Sequence, residues 1–218
     1  MLIKNIFKIS IILFFLQLAR VLFKFAVFSS IDRNLTADVI IKCIFTSGAL
    51  IICLAFFKAR NLKIGFLPEN FNLKYKACTA LLLIFIITTP IITKNISLYY
   101  ILSLIYNAIL TVLYEEIIFR GYVYSKINSI KNEKYACLCS SILFGLWHLG
   151  YIDTILWRTS LFSPDADIPS IMFWKTLTGL IIGFILVFFR YKNKNVYSSF
   201  LVHSFINAFG GWYMYSLL

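Results

Sequence analysis

Charge is what this chain is short of. Only 14% of its 218 residues are Asp, Glu, Lys or Arg, and just nine are acidic. So little charge cannot clothe a water-facing surface, which excludes an ordinary soluble domain. Cysteine is present but unpatterned. Cys43, Cys53, Cys78, Cys137 and Cys139 are odd in number, include no C-x-x-C pair and lie in or beside apolar runs. They read as small hydrophobes rather than as a disulfide framework or zinc site. A stacked-aromatic pattern and a basic groove are both missing, so the net charge of +12 does not point to nucleic acid. No small-residue cleavage site follows the apolar start, and residues 6–28 are expected to be a retained membrane segment rather than a signal peptide. Histidine is nearly absent. The two that occur, His148 and His203, both sit inside apolar stretches.

What fills the chain is hydrocarbon: 61% of residues are hydrophobic, and the mean hydropathy is +0.85. This composition predicts an all-α, polytopic transmembrane helix bundle. About seven segments approach the ~20 residues that a bilayer demands. They span 6–28, 37–57, 77–93, 97–125, 134–151, 171–190 and 196–217. The whole is one integral membrane domain, divided at residue 96 into helices without a signature (1–96) and a motif-bearing core (97–218). Arg20 and Lys24 interrupt the first segment at i,i+4, so it is expected to tilt, snorkel or lie in the interface. The connection over 152–170 carries Trp157, Phe162, Pro164 and Pro169. It reads equally as a membrane-resting gate or as a plain connector.

Basic residues alternate between loops. Fourteen fall on one side, among them Lys4, Lys58, Lys74, Arg120, Lys131 and Arg190; three, Arg33, Lys94 and Arg158, fall on the other. The bias places the N-terminus in the cytoplasm and the C-terminus outside. The acidic residues Asp32, Asp153, Asp165 and Asp167 accompany the sparse side. Gly179-x-x-x-Gly183 permits close helix approach and carries no chemistry of its own.

Ionisable groups at membrane depth are costly and therefore mark function. Glu115 and Glu116 are adjacent and point about 100° apart on a helix, so they serve different ends. Glu116 and Arg120 are spaced i,i+4 for an ion pair. That leaves Glu115 as the candidate base. Phe144 and His148 share one helical face, and His203 and Asn207 share another. If segments four and five form a hairpin near Lys131, Glu115 lies 16 residues before the turn and His148 lies 17 after it. At ~1.5 Å per residue they reach the same height.

The ordered set Glu115-Glu116-x-x-x-Arg120, Phe144-x-x-x-His148 and His203-x-x-x-Asn207 resembles the CPBP family. These are the CAAX-protease and bacteriocin-processing (Abi) intramembrane endopeptidases. Phe119-Arg120-Gly121 and Ser140-Ser141 agree as flanking residues, and the likeness covers roughly residues 97–212. The resemblance implies helices around a conical cavity in which a peptide bond is hydrolysed. Carried over, Glu115 would activate water with His148 helping to position it, and His203 with Asn207 would stabilise the oxyanion. Glu116, Arg120 and Phe144 would support the site. The substrate would be a membrane-embedded or lipidated peptide, and the setting the lipid bilayer of a bacterial plasma membrane.

No cofactor is required by this reading. The competing one makes His148, His203 and Glu115 zinc ligands with an open position for water; Asn207 suits an oxyanion donor better. Two other functions compete: a non-catalytic membrane scaffold or bacteriocin self-immunity protein, and a proton relay. The lack of internal repeats and paired broken helices counts against a relay in a transporter.

Overall fold

The structure, a computed structural model, describes residues 2–216, with side chains described through residue 210. The described residues form seven long helical rods and no strand: α1 (Leu2–Phe28), α2 (Leu35–Ala59), α3 (Leu73–Ile92), α4 (Leu98–Asn128), α5 (Glu133–Phe162), α6 (Ile168–Asn193) and α7 (Val196–Ser216). The first six are long and apolar enough to cross a membrane. The helical bundle is therefore the one expected from composition, although residue 217 of the last predicted segment lies outside the described residues.

Short polar residues start the helices. Asn34, Asn72, Asn132 and Asp167 each use a side-chain oxygen to accept a backbone N–H in the first turn that follows. Such capping satisfies donors that the helix itself cannot. The start of α7 is held from outside as well. Val196 N donates to Gly65 O and Tyr197 N to Phe66 O, each at 2.9 Å. The loop between α2 and α3 thereby fixes the height of the helix that carries His203. Gly65 takes φ +58° to do so, a conformation that suits glycine.

The bundle is inverted relative to a soluble protein. Phe7, Phe14, Phe15, Ile51, Ile52, Ile87 and Phe188 are exposed, and side chains of this kind are what lipid tails accept. Inside lie Gln17, Arg20, Lys24, Asp38, Glu115, Glu116, Arg120, Arg190 and His203. At the centre is α4, whose Ile117, Phe119, Val123 and Ile127 pack against Ala136, Phe144 and Trp147 of α5 and Leu186 and Val187 of α6. Twice α4 widens into π-helix, at Tyr106–Leu110 and Ile117–Val123. These wide turns flank the Glu115-Glu116 pair on both sides, and π-turns gather at functional sites.

Two expectations are corrected here. Arg20 and Lys24 do not snorkel: both turn inward and are buried. Arg20 Nη2 lies 2.5 Å from Asp153 Oδ1, and Lys24 Nζ lies 2.9 Å from Asp153 and 3.3 Å from Asp38. Carboxylates elsewhere in the chain made the inward face cheaper than the interface. Second, residues 152–162 are helix, not loop; the true connection is residues 163–167. Its charged side chains had looked like loop residues, but Asp153 faces inward to α1, and Pro169 stands in the first turn of α6, where proline fits. Trp157 lies under the Arg33 guanidinium at 3.8 Å.

Helices α5 and α6 meet closely through glycine. A Cβ on Gly145 would come within 3.0–3.2 Å of Leu180 Cβ, Cα and N, and one on Gly183 would reach the Ser141 backbone at 3.1–3.2 Å. Backbone cannot swing aside as a side chain can. Gly145→Val is expected to cost about 1–3 kcal/mol through overpacking, read as a lowered thermal midpoint of the detergent-solubilised protein.

Candidate active site

Four helices deliver the ionisable groups to one place. The hairpin of α4 and α5 turns at residues 129–132 and sets Glu115 level with the end of the first α5 stretch, as the residue count predicted. Glu115 Oε1 accepts two hydrogen bonds, from Trp147 Nε1 at 3.1 Å and from the Tyr151 hydroxyl at 2.9 Å. Its other oxygen, Oε2, faces His203 Nε2 at 3.9 Å. That gap is too long for a direct hydrogen bond.

Glu116 is held differently. Its Oε1 lies 3.1 Å from Arg120 Nη1 and 3.0 Å from His203 Nδ1. Glu116 and Arg120 are wholly buried. Arg120 Nη2 donates to Gly183 O at 3.1 Å, and its guanidinium covers the Phe144 ring at 4.2 Å. Arg190 Nε in turn donates to Arg120 O at 3.2 Å. Arg120 and Arg190 thus belong to the interior, so two of the fourteen charges assigned to the basic loops are not loop charges at all. The two glutamates bracket a single imidazole, Glu116 on Nδ1 and Glu115 opposite Nε2. Because a carboxylate takes the proton of Nδ1, Nε2 is the nitrogen turned toward Glu115.

His148 begins a short 3₁₀ turn, His148–Tyr151, that interrupts α5. Its Nδ1 donates to Phe144 O at 2.8 Å, since a carbonyl can only accept. Phe144 meets both imidazoles edge-on, with centroids at 4.9 Å from His148 and 5.7 Å from His203. Gly179 of α6 backs the His148 ring: a Cβ there would sit 2.7 Å from Nδ1.

The constellation read from sequence is therefore brought together, with two differences. No hydrogen bond joins His148 to Glu115; the adjacent Trp147 and the next-turn Tyr151 do that work. Their signal was available, because an indole N–H or phenol O–H in an apolar helix needs a partner. Asn207 shares a face with His203, but its Nδ2 donates to Asn107 O in the first π-turn of α4 at 2.9 Å. One of its two amide protons is thus committed to backbone.

Helix α1, which bears no motif, braces the same turn. Gln17 Nε2 donates to Trp147 O at 3.1 Å, and Arg20 Nη2 to Gly150 O at 2.6 Å. A Cβ on Gly150 would meet the Gln17 side chain at 2.5 Å. As for zinc, no group of three His, Cys, Asp or Glu side chains gathers for a metal ion among the described residues. His148, His203 and Glu115 do not fit as a ligand set.

A family profile described as Type II CAAX prenyl endopeptidase Rce1-like matches residues 97–209. Among curated proteins, UPF0177 protein YxdF of Lactococcus lactis subsp. lactis (strain IL1403) is 35% identical over 103 residues, which is 47% of this chain and 45% of that protein. The chain thus spans less than half the length of this relative. No solved structure matches it.

The Glu116–Arg120 pair admits a thermodynamic check. Arg120→Met alone strands a buried carboxylate and is expected to cost about 3–5 kcal/mol. The double variant Glu116→Gln/Arg120→Met should recover part of that loss, measured by a double-mutant cycle of unfolding in detergent micelles.

Proposed function

The chain belongs to the Type II CAAX prenyl endopeptidase Rce1-like family, and from that premise we propose that it is an intramembrane endopeptidase. It hydrolyses a peptide bond in a membrane-embedded or lipid-modified peptide by water that Glu115 activates. One observation carries this reading. Glu115 is fixed through Oε1 by two neutral donors, while Oε2 stays uncommitted opposite His203 Nε2. A general base has to be held in place and still own a free lone pair.

In the proposed reaction, Glu115 Oε2 takes a proton from water as the oxygen adds to the scissile carbonyl. The tetrahedral oxyanion is met by His203 Nε2, which donates when it carries a proton, while Nδ1–H remains on Glu116. The uncommitted amide proton of Asn207 is the second donor. Donors aimed at the developing charge in a dry site are worth far more than in water. Collapse of the intermediate breaks the C–N bond, and Glu115 returns its proton to the leaving amine. His148, with Nδ1 spent on Phe144 O, offers the Nε2 lone pair to orient the water. Trp147 and Tyr151 are positioning residues that act through Glu115.

The test is cleavage of a prenylated peptide, beside an unmodified membrane peptide, by protein reconstituted in liposomes. Glu115→Gln keeps the size and the acceptor oxygen for Trp147 and Tyr151 but removes the base. It is expected to lower kcat by a factor of roughly 10²–10⁴ while leaving the thermal midpoint close to that of the parent. Undiminished cleavage by this variant would defeat the mechanism. Tyr151→Phe should lower kcat with little change in KM, as expected of a group that positions the base rather than the substrate.

A further inference from the structure

Away from the site, Arg20, Lys24, Lys42 and Lys175 also lie within apolar runs rather than in loops. All four converge near the same end of the bundle, joined there by Arg33 and Arg158. Asp38 is shared by Lys24, Arg33 and Lys42, and Asp153 by Arg20 and Lys24. Four cations thus answer to two carboxylates, an excess of two positive charges before Arg158 and Lys175 are counted. Lys175 Nζ stands 5.5 Å from the centre of the Tyr151 ring, which Arg20 approaches at 4.9 Å. Arg158 donates to the Tyr99 hydroxyl, and its Nε is buried without a hydrogen-bond partner. Excess buried charge of one sign is costly unless something of the opposite sign meets it.

A pocket of about 240 Å³ opens at this cluster. Lys24 and Arg33 supply its positive wall, Ser29 stands at its rim, and Val21, Phe25 and Phe28 make its apolar side. Asp153 also borders it, but that carboxylate is already engaged by Arg20 and Lys24. The guanidinium of Arg33 lies over the Trp157 ring while Nε and Nη2 grip Asp38, which leaves Nη1 for another partner. Helix α1 ends and α2 begins here, so the pocket sits where two membrane-length helices turn, at headgroup level. Leu22 beside it and Phe25 of its apolar side are 56% and 74% exposed, a surface suited to acyl chains.

We propose that this pocket seats the phosphate of an anionic phospholipid. Charge complementarity carries the assignment. An anionic headgroup offsets the excess cations, whereas a zwitterionic one brings its own cation and leaves the imbalance. The apolar wall distinguishes a lipid from a free anion, because it receives the chains of the same molecule. Arginine meets phosphate with paired N–H donors. The seat is separate from peptide hydrolysis and stands whether or not that reading holds. It does adjoin the active site, since Asp153 binds Arg20 and Arg20 holds Gly150 O in the turn carrying Tyr151.

The experiment is a thermal unfolding titration of the full chain in neutral detergent with short-chain phosphatidylglycerol. The midpoint is expected to rise and saturate, as ligand linkage requires. Short-chain phosphatidylcholine and inorganic phosphate should leave it unchanged. Arg33→Gln removes one donor group, and Ser29→Glu puts a negative charge at the rim without touching the ion network. Each is expected to weaken the apparent affinity by roughly tenfold or more. A full parental response in Ser29→Glu would overturn the proposal. So would an equal rise with phosphatidylcholine, and so would a rise with inorganic phosphate alone, which would make the pocket a free-anion site.

Discussion

The structure turns on one buried ion pair. Glu116 and Arg120 lie one helical turn apart, fully enclosed, on the central helix. Neither charge could stay at that depth alone. Once paired, they dictate what surrounds them. Arg120 has donors to spare, so α6 supplies Gly183 O and α5 supplies the face of Phe144. Glu116 has an acceptor to spare, so α7 supplies His203. Three neighbouring helices are thereby keyed to the register of α4 by polar contacts that lipid cannot replace.

Close approach makes that keying possible. A guanidinium on α4 can reach a backbone oxygen of α6 only if the helices between which it runs leave no thick layer of side chains. Gly145, Gly179 and Gly183 thin that layer along the α5–α6 seam. The G-x-x-x-G had looked chemically silent. In the bundle, Gly183 offers its carbonyl to Arg120 and Gly179 gives the His148 ring its room. Packing and chemistry use the same residues because, in a bilayer, association through small residues is a principal means of holding helices together.

The all-helical class, the apolar spans and the Glu116–Arg120 pair were legible because each is local. Apolar length marks a span, i,i+4 spacing marks an ion pair, and an ionisable group out of water marks itself. What was hidden depends on partners far along the chain. Arg20 and Lys24 looked like snorkelling residues because nothing within α1 answers them; Asp153, some 130 residues away, does. The same absence made residues 152–162 resemble a loop. Trp147 and Tyr151 escaped notice for another reason: in so aromatic a chain, two more rings look like packing until their donors are asked where they point. The bracing of the 3₁₀ turn by Gln17 and Arg20 had no sequence signal at all, since it needs a helix that carries no motif.

Placing two carboxylates side by side is workable only because their partners differ in kind. Glu116 is gripped on one oxygen by a guanidinium and an imidazole together. Glu115 is gripped as firmly, but by an indole and a phenol, which fix one oxygen without neutralising the group or covering the other. The imidazole of His203 then spans the space between them, anchored on the first and presented to the second. A single adjacent pair of identical side chains, turned apart by helical geometry, is thus divided into one ion-paired carboxylate and one held by neutral donors. The division follows from what each face of α4 meets: cation and imidazole on one side, neutral donors of a 3₁₀ turn and the residue before it on the other.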